Sequence, residues 1–172
     1  MQSVLSTTDY CARNDVTRSE RLAKQLKRTV TGPMWHGPAL ANVLEAVSHD
    51  AAASHPIGGA HSIWEIVLHV TTWAQIARER LKGESIGDPP AERDWPPVTA
   101  TDLDAWRIAV EQLAYAHRML AADARELSDE ALDAMVPGLK YSVWILLHGI
   151  VEHGTYHAGQ IALLKRALEN RR

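Results

Sequence analysis

The sequence predicts an all-α protein, a four-helix bundle in which a long crossover joins the second helix to the third. Three observations carry this reading. Apolar residues recur at three- and four-residue spacing in four separate stretches, alternation of period two is almost absent, and a Pro-rich segment separates the second stretch from the third.

Residues 1–17 are polar and aperiodic and read as a loose N-terminal arm. A first helix is expected from about Ser19 to Thr29, stopping before Thr31-Gly32-Pro33 because Gly and Pro end helices. Trp35-His36-Gly37-Pro38 reads as a loop. Pro38 suits the start of a short helix over Ala39 to Val47, where Leu40, Val43, Leu44 and Val47 have helical spacing. Gly58-Gly59 then supplies a turn, and Ser62-Ile63-Trp64-Glu65 has the capping-box pattern, in which Ser and Glu side chains each accept from the other's backbone N–H. From there Ile63, Ile66, Val70, Trp73 and Ala77 keep helical spacing until Lys82-Gly83.

Gly83 to Thr101 carries Pro89-Pro90 and Pro96-Pro97 and cannot be helical along its length. Its length far exceeds the roughly 2 to 8 residues that join antiparallel neighbours, so it is expected to be an overhand crossover between parallel ones. After Thr99-Ala100-Thr101-Asp102, a long helix is expected with the seam Leu103, Trp106, Val110, Leu113, His117, Leu120, Ala124 and Leu127. The last helix should run from about Ser142 to Asn170, after Pro137-Gly138. Its seam is Val143, Leu146, Ile150, His153, His157, Ile161, Leu164 and Leu168. Two inward positions are therefore histidine.

A chain of 172 residues, 46% hydrophobic and 23% charged, fits one globular domain over 1–172. A net charge of -3 with scattered Lys and Arg offers no footprint for phosphate backbones, so nucleic acid is not an expected partner. The one cysteine, Cys11, excludes an intrachain disulfide and a Cys-based zinc site and points to a cytoplasmic protein. Asp9, Arg13, Asp15 and Arg18 break any signal-peptide core, and no apolar run approaches the roughly 20 residues that span a bilayer. No membrane association is expected.

His153 and His157 are four residues apart, so on a helix both imidazoles lie on one face and can reach one cation. A third ligand has to come from elsewhere, and His69 is the candidate. Three neutral imidazoles leave an open coordination position on zinc, nickel or iron, where a water or thiol could be activated. The competing account makes His153 and His157 hydrogen-bonded core or surface residues.

Other residues have plainer readings. Glu65 is explained by its capping box, and His117 by burial as a satisfied core histidine. His148 precedes His153 by five residues, which turns it to another face. Gln160, three beyond His157, can bond either a metal-bound water or a helix neighbour. Core packing explains most of Trp64, Trp73, Trp106 and Trp144; Trp35 and Trp95, beside prolines, line a pocket mouth or cover the bundle's ends. There is no His-Glu-x-x-His, Gly-rich phosphate loop or nucleophile elbow.

The strings Ser62-Ile63-Trp64-Glu65-Ile66-Val67-Leu68-His69-Val70 and His153-Gly154-Thr155-Tyr156-His157-Ala158-Gly159-Gln160-Ile161, separated by Asp94-Trp95-Pro96-Pro97 and a helical hairpin, resemble the DinB/YfiT-like superfamily from about residue 19 onward. The resemblance implies an up-down-down-up four-helix bundle. It also implies three histidines around a divalent metal, one on the second helix and a His-x-x-x-His pair on the fourth, which by position are His69, His153 and His157. Members include thiol-dependent S-transferases, a few hydrolases and many proteins with no assigned activity. Three functions stay open: a metal-dependent transferase joining a low-molecular-weight thiol to a small molecule, a metal-dependent hydrolase of a small substrate, and a metal-binding or interaction module without turnover. The resemblance and the surplus of tryptophan imply a homodimer.

Overall fold

The computed structural model describes residues 16–170, in which all regular structure is helical apart from isolated bridges at Met34–Gly37 and Met135–Ser142. The chain is all-α. Of the expected N-terminal arm, residues 1–15, including Cys11, lie outside the described residues. Thr17 is part of a helix cap: its hydroxyl accepts from the Glu20 N–H while Glu20 accepts from the Thr17 N–H, both at 3.1 Å. This box starts α1, Arg18–Thr31, a residue earlier than Ser19, and the helix runs two past Thr29.

An unforeseen helix, α3 (His49–Ala53), follows the short helix expected over Ala39 to Val47, which forms only as α2 (Leu40–Leu44). Two features cut it. Ala46 takes the left-handed φ of 61°, and Lys165 donates to the carbonyls of Val43 and Glu45, which ends the helix there. Ser48 then caps α3 by accepting from the Ala51 N–H.

The Ser62–Glu65 box forms as expected and starts α4, Ile63–Leu81. The crossover holds one short helix, α5 (Ala91–Asp94). Asp102 caps α6, Leu103–Arg125. One of its expected seam residues falls away, Leu103, which is 64% exposed in the first turn; Leu127 lies beyond the helix end but still packs against the core. Ser128 caps the unforeseen α7, Asp129–Asp133, and Ser142 caps α8, Val143–Glu169.

The four long helices meet as α1 with α6, α6 with α4, α4 with α8 and α8 with α1. Between them lie two apolar clusters. One contains Leu40, Ile63, Val67, Leu113 and Ile161, the other Leu22, Leu26, Leu120, Leu132 and Leu147, all at most 1% exposed. Each side chain of that size contributes roughly 1.5–3 kcal/mol by leaving water. Trp64 packs on Trp106 at 5.0 Å and Arg78 pairs with Asp123 at 2.6 Å, both joining α4 to α6. Arg18 pairs with Asp133 and lies 4.7 Å over Trp144, joining α1 to α7 and α8. Gly154 sets how closely α1 approaches α8, because a Cβ there would lie 2.4 Å from Thr29 Cγ2. No helix among the described residues is long and apolar enough to cross a membrane.

Candidate metal centre

Helix α4 presents His69 and helix α8 presents His153 and His157, and the three converge. His153 Nε2 is 2.9 Å from His69 Nε2 and 3.0 Å from His157 Nε2. One ring nitrogen from each lies within 4.8 Å of the others. The i,i+4 spacing on α8 does the first half of this. The packing of α4 on α8 does the rest.

The far sides of two rings are fixed by acceptors. His69 Nδ1 donates to the main-chain carbonyl of Asp94 at 2.7 Å, and His157 Nδ1 donates to Gln160 Oε1 at 2.7 Å. Gln160 is itself oriented, since its amide donates to Tyr156 Oη. A nitrogen that faces an acceptor must carry the proton, so both Nε2 atoms carry lone pairs. The Asp94 carboxylate accepts from Trp73 Nε1 at 2.7 Å and lies 3.2 Å from His69 Nδ1. Trp95, the next residue, is sandwiched between His61 at 3.5 Å and His69 at 3.8 Å, nearly parallel to both.

Burial sets the protonation state. It holds all three imidazoles below the ordinary histidine pKa, with His153 pushed down to about 3 and His157 to about 4, and the mutual repulsion of the rings adds to it. The rings are neutral at pH 7. At most one N–H, that of His153, can lie among the three facing nitrogens, and the remaining lone pairs repel one another unless a cation sits between them. The donor set fits a divalent metal: imidazole suits zinc, nickel and iron, and bonds of about 2.0–2.1 Å need donors roughly 3 Å apart.

Two cavities flank the cluster, and His69 and His153 line both. The larger, about 580 Å³, is bounded by His61, Trp95, Tyr156, His157, Gln160 and apolar residues such as Ile66 and Leu164. The smaller, about 430 Å³, is bounded by Trp73, Arg80, Asp94, Tyr141 and the α8 face of Ile145, Gly149 and Ile150.

Comparison with known proteins fits this arrangement. A family model described as the DinB superfamily matches residues 21–161, most of the chain. The chain belongs to the DinB superfamily. Neither a curated protein nor a solved structure gives a significant match. All three histidines of the cluster lie inside the DinB match, as do Arg80, Asp94, Trp95 and Gln160.

Within this DinB chain, His148 and Glu65 take the roles expected of them, and His117 does so only in part. His117 is 1% exposed and donates through Nδ1 to Leu113, but its Nε2 is buried without a hydrogen-bond partner among the described residues, so it is a core histidine that is only half satisfied; it is not in the cluster. His148 packs on Trp144 at 4.4 Å, away from the pair. Glu65 serves its capping box and also accepts from His55. Gln160 bonds helix neighbours, His157 and Tyr156. The tryptophans need two corrections. Trp73 is not simple core, for it bonds Asp94 and packs edge-on to His69 and His153, and Trp35 is fully exposed, so it covers no helix end. Sequence reasoning gave no role to Asp94, His61, Arg80 or Tyr156. Arg80 carried a usable signal, because it continues the inward register of Trp73 and Ala77.

Proposed function

We propose that this DinB protein is a metal-dependent enzyme. In this reading His69, His153 and His157 hold one zinc, nickel or iron ion, and a low-molecular-weight thiol is transferred to a small electrophile. The observation that carries the reading is the convergence of three neutral imidazoles, two of them fixed from behind by Asp94 and Gln160. A divalent cation held there supplies Lewis acidity and lowers the pKa of a coordinating thiol. The thiol proton is lost, a sulfur–carbon bond forms, and the displaced group leaves with the electron pair of its own broken bond.

The surroundings favour thiol transfer over hydrolysis. No carboxylate among the described residues lines the larger cavity, so water entering there lacks a general base of that kind, whereas a coordinating thiol needs none. Trp95, Ile66 and Leu164 exclude water from the face where the thiol carbon chain would lie. Asp94 is occupied by Trp73 and stands behind His69.

The proposal includes the architecture. One domain over 1–172 with an up-down-down-up bundle is supported by Trp64 on Trp106 near the starts of α4 and α6 and Arg78 on Asp123 near their ends. A homodimer is supported by exposed Ile145, Tyr156 and Leu163, which recur at whole-turn spacing along α8. A cytoplasmic setting is supported by the single cysteine.

The test is a conjugation screen with protein loaded separately with zinc, nickel or iron. Conjugates of a small thiol with an alkylating electrophile should form with parent protein and fail with His153→Ala. Turnover of esters or amides without thiol would replace this reading with the hydrolase. Metal binding without either activity would leave a binding module.

A further inference from the structure

Arg80 is a buried cation without a carboxylate partner among the described residues. The residue is 3% exposed, and its fork donates to the carbonyls of Ile86 and Gly87 and to Tyr141 Oη. Three of the five guanidinium N–H groups are thereby used, one remaining on each terminal nitrogen. The only further compensation among the described residues is the Trp73 ring, 5.5 Å from Arg80 Cζ. A guanidinium with two unspent N–H groups at a cavity wall is suited to pair with a carboxylate there. Tyr141 Oη already accepts from Arg80, so its own O–H is free to donate. This end of the smaller cavity therefore offers donors, while the one carboxylate lining it, Asp94, lies on the histidine side and accepts from Trp73.

The walls beyond are apolar. Trp73 stands between the two ends, with Arg80 over its ring and His153 at 5.9 Å and His69 at 6.4 Å from its centroid. Ile145 and Ile150 face it across a cavity of about 430 Å³, a size that takes a small organic molecule.

We propose that this second cavity binds a small organic acid, its carboxylate on Arg80 and Tyr141 and its apolar body along Trp73, Ile145 and Ile150, so that its far end meets the histidine cluster. The acid is the electrophilic substrate, and the thiol enters from the larger cavity on the opposite side of His69 and His153. This deepens the proposed transferase and rests on it for the chemistry, but acid binding itself requires no metal.

The experiment measures binding of 3-phenylpropanoate and its neutral isostere 3-phenylpropanamide to the full-length protein, metal-free and zinc-loaded, by calorimetry and tryptophan fluorescence. The carboxylate should bind at least tenfold tighter than the amide in both forms. Arg80→Gln should abolish that preference. Because Arg80 also holds the crossover, Gly149→Leu, at a cavity position where a Cβ meets nothing within 4 Å, supplies an independent check by filling the cavity and weakening both probes. Equal affinity of parent protein for acid and amide would overturn the proposal, as would an unchanged preference in Arg80→Gln or unchanged binding in Gly149→Leu. Zinc content measured on the same samples separates the two readings: a chain that takes up no zinc but prefers the acid loses only its metal centre.

Discussion

The Trp95 ring lies flat on His69, 3.8 Å between centroids and 5° from parallel. With the Asp94 carbonyl on Nδ1, the stack leaves His69 one orientation, and Nε2 points at His153. The crossover thus supplies two of the groups that fix a histidine on α4. An imidazole so held binds a cation without first losing rotamer freedom.

The first prediction concerns the three histidines. Reloaded and desalted protein should hold close to one divalent metal per chain, and His69→Ala, His153→Ala or His157→Ala should each abolish tight binding. Added cation should raise the Tm of the parent and leave that of each variant unchanged. Elemental analysis and thermal melts check both. An equal Tm shift in parent and His153→Ala would remove His153 from the ligand set.

Gln160→Leu should weaken metal binding by roughly 10–100-fold while the fold survives, because it takes away the acceptor that orients His157. Asp94→Asn should cost less. His69 is held by the Asp94 main chain, which the substitution leaves in place, and an amide oxygen can still accept from Trp73. Competition with a chromogenic chelator ranks the two, and the reverse order would contradict this account of the outer contacts.

Acid should destabilise the metal-free protein in a defined window. His117 is buried neutral with its pKa pushed down to about 4, while the unfolded chain binds a proton below about 6.5. The unfolded state then holds more protons between those values, so stability is full above about pH 6.5 and falls as pH drops towards 4. The contribution is about 3 kcal/mol over the window. Since His69, His153 and His157 act in the same direction, the measure is a difference: urea unfolding at pH 7 and 4.5 should show a smaller loss in His117→Leu than in the parent. Identical losses would count against a neutral His117.

Two helical glycines should respond with opposite sign. Gly154→Ala drives a methyl onto Thr29, whose hydroxyl is fixed on the Gln25 carbonyl, and overpacking of this kind costs about 1–3 kcal/mol. Gly159→Ala meets nothing within 4 Å and should gain about 0.5–1 kcal/mol of helix propensity. Chemical denaturation of the two variants reads the difference directly.

Where the chain obeys a local rule, its residues announced the result. The Ser62–Glu65 box begins α4, Ser142 begins α8, and the His153–His157 spacing puts both rings on one face. What escaped depends on contacts without a period. Helices α3 and α7 are each a single capped turn, too short for a seam to be visible. Lys165 cuts α2 from 120 residues away in sequence, and Asp94 reaches His69 across 25. Trp73 satisfied the apolar pattern so well that its indole N–H, the polar handle that ties it to Asp94, gave no sign of itself.

The segment between α4 and α6 is pinned at two places, at Ile86 and Gly87 by Arg80 and around Asp94 by His69, Trp73 and the pairing of Arg93 with Glu79. Surface connections are ordinarily where a polypeptide accepts added residues, a nick or relocated termini. Here that freedom divides. Residues added between Gly87 and Ala91 lengthen a tether whose two anchors stay put, whereas a single residue added between Asp94 and Trp95 sets a different side chain on the face of His69. An irregular stretch of chain thus contains one dipeptide whose phase is kept as strictly as the register of a helix.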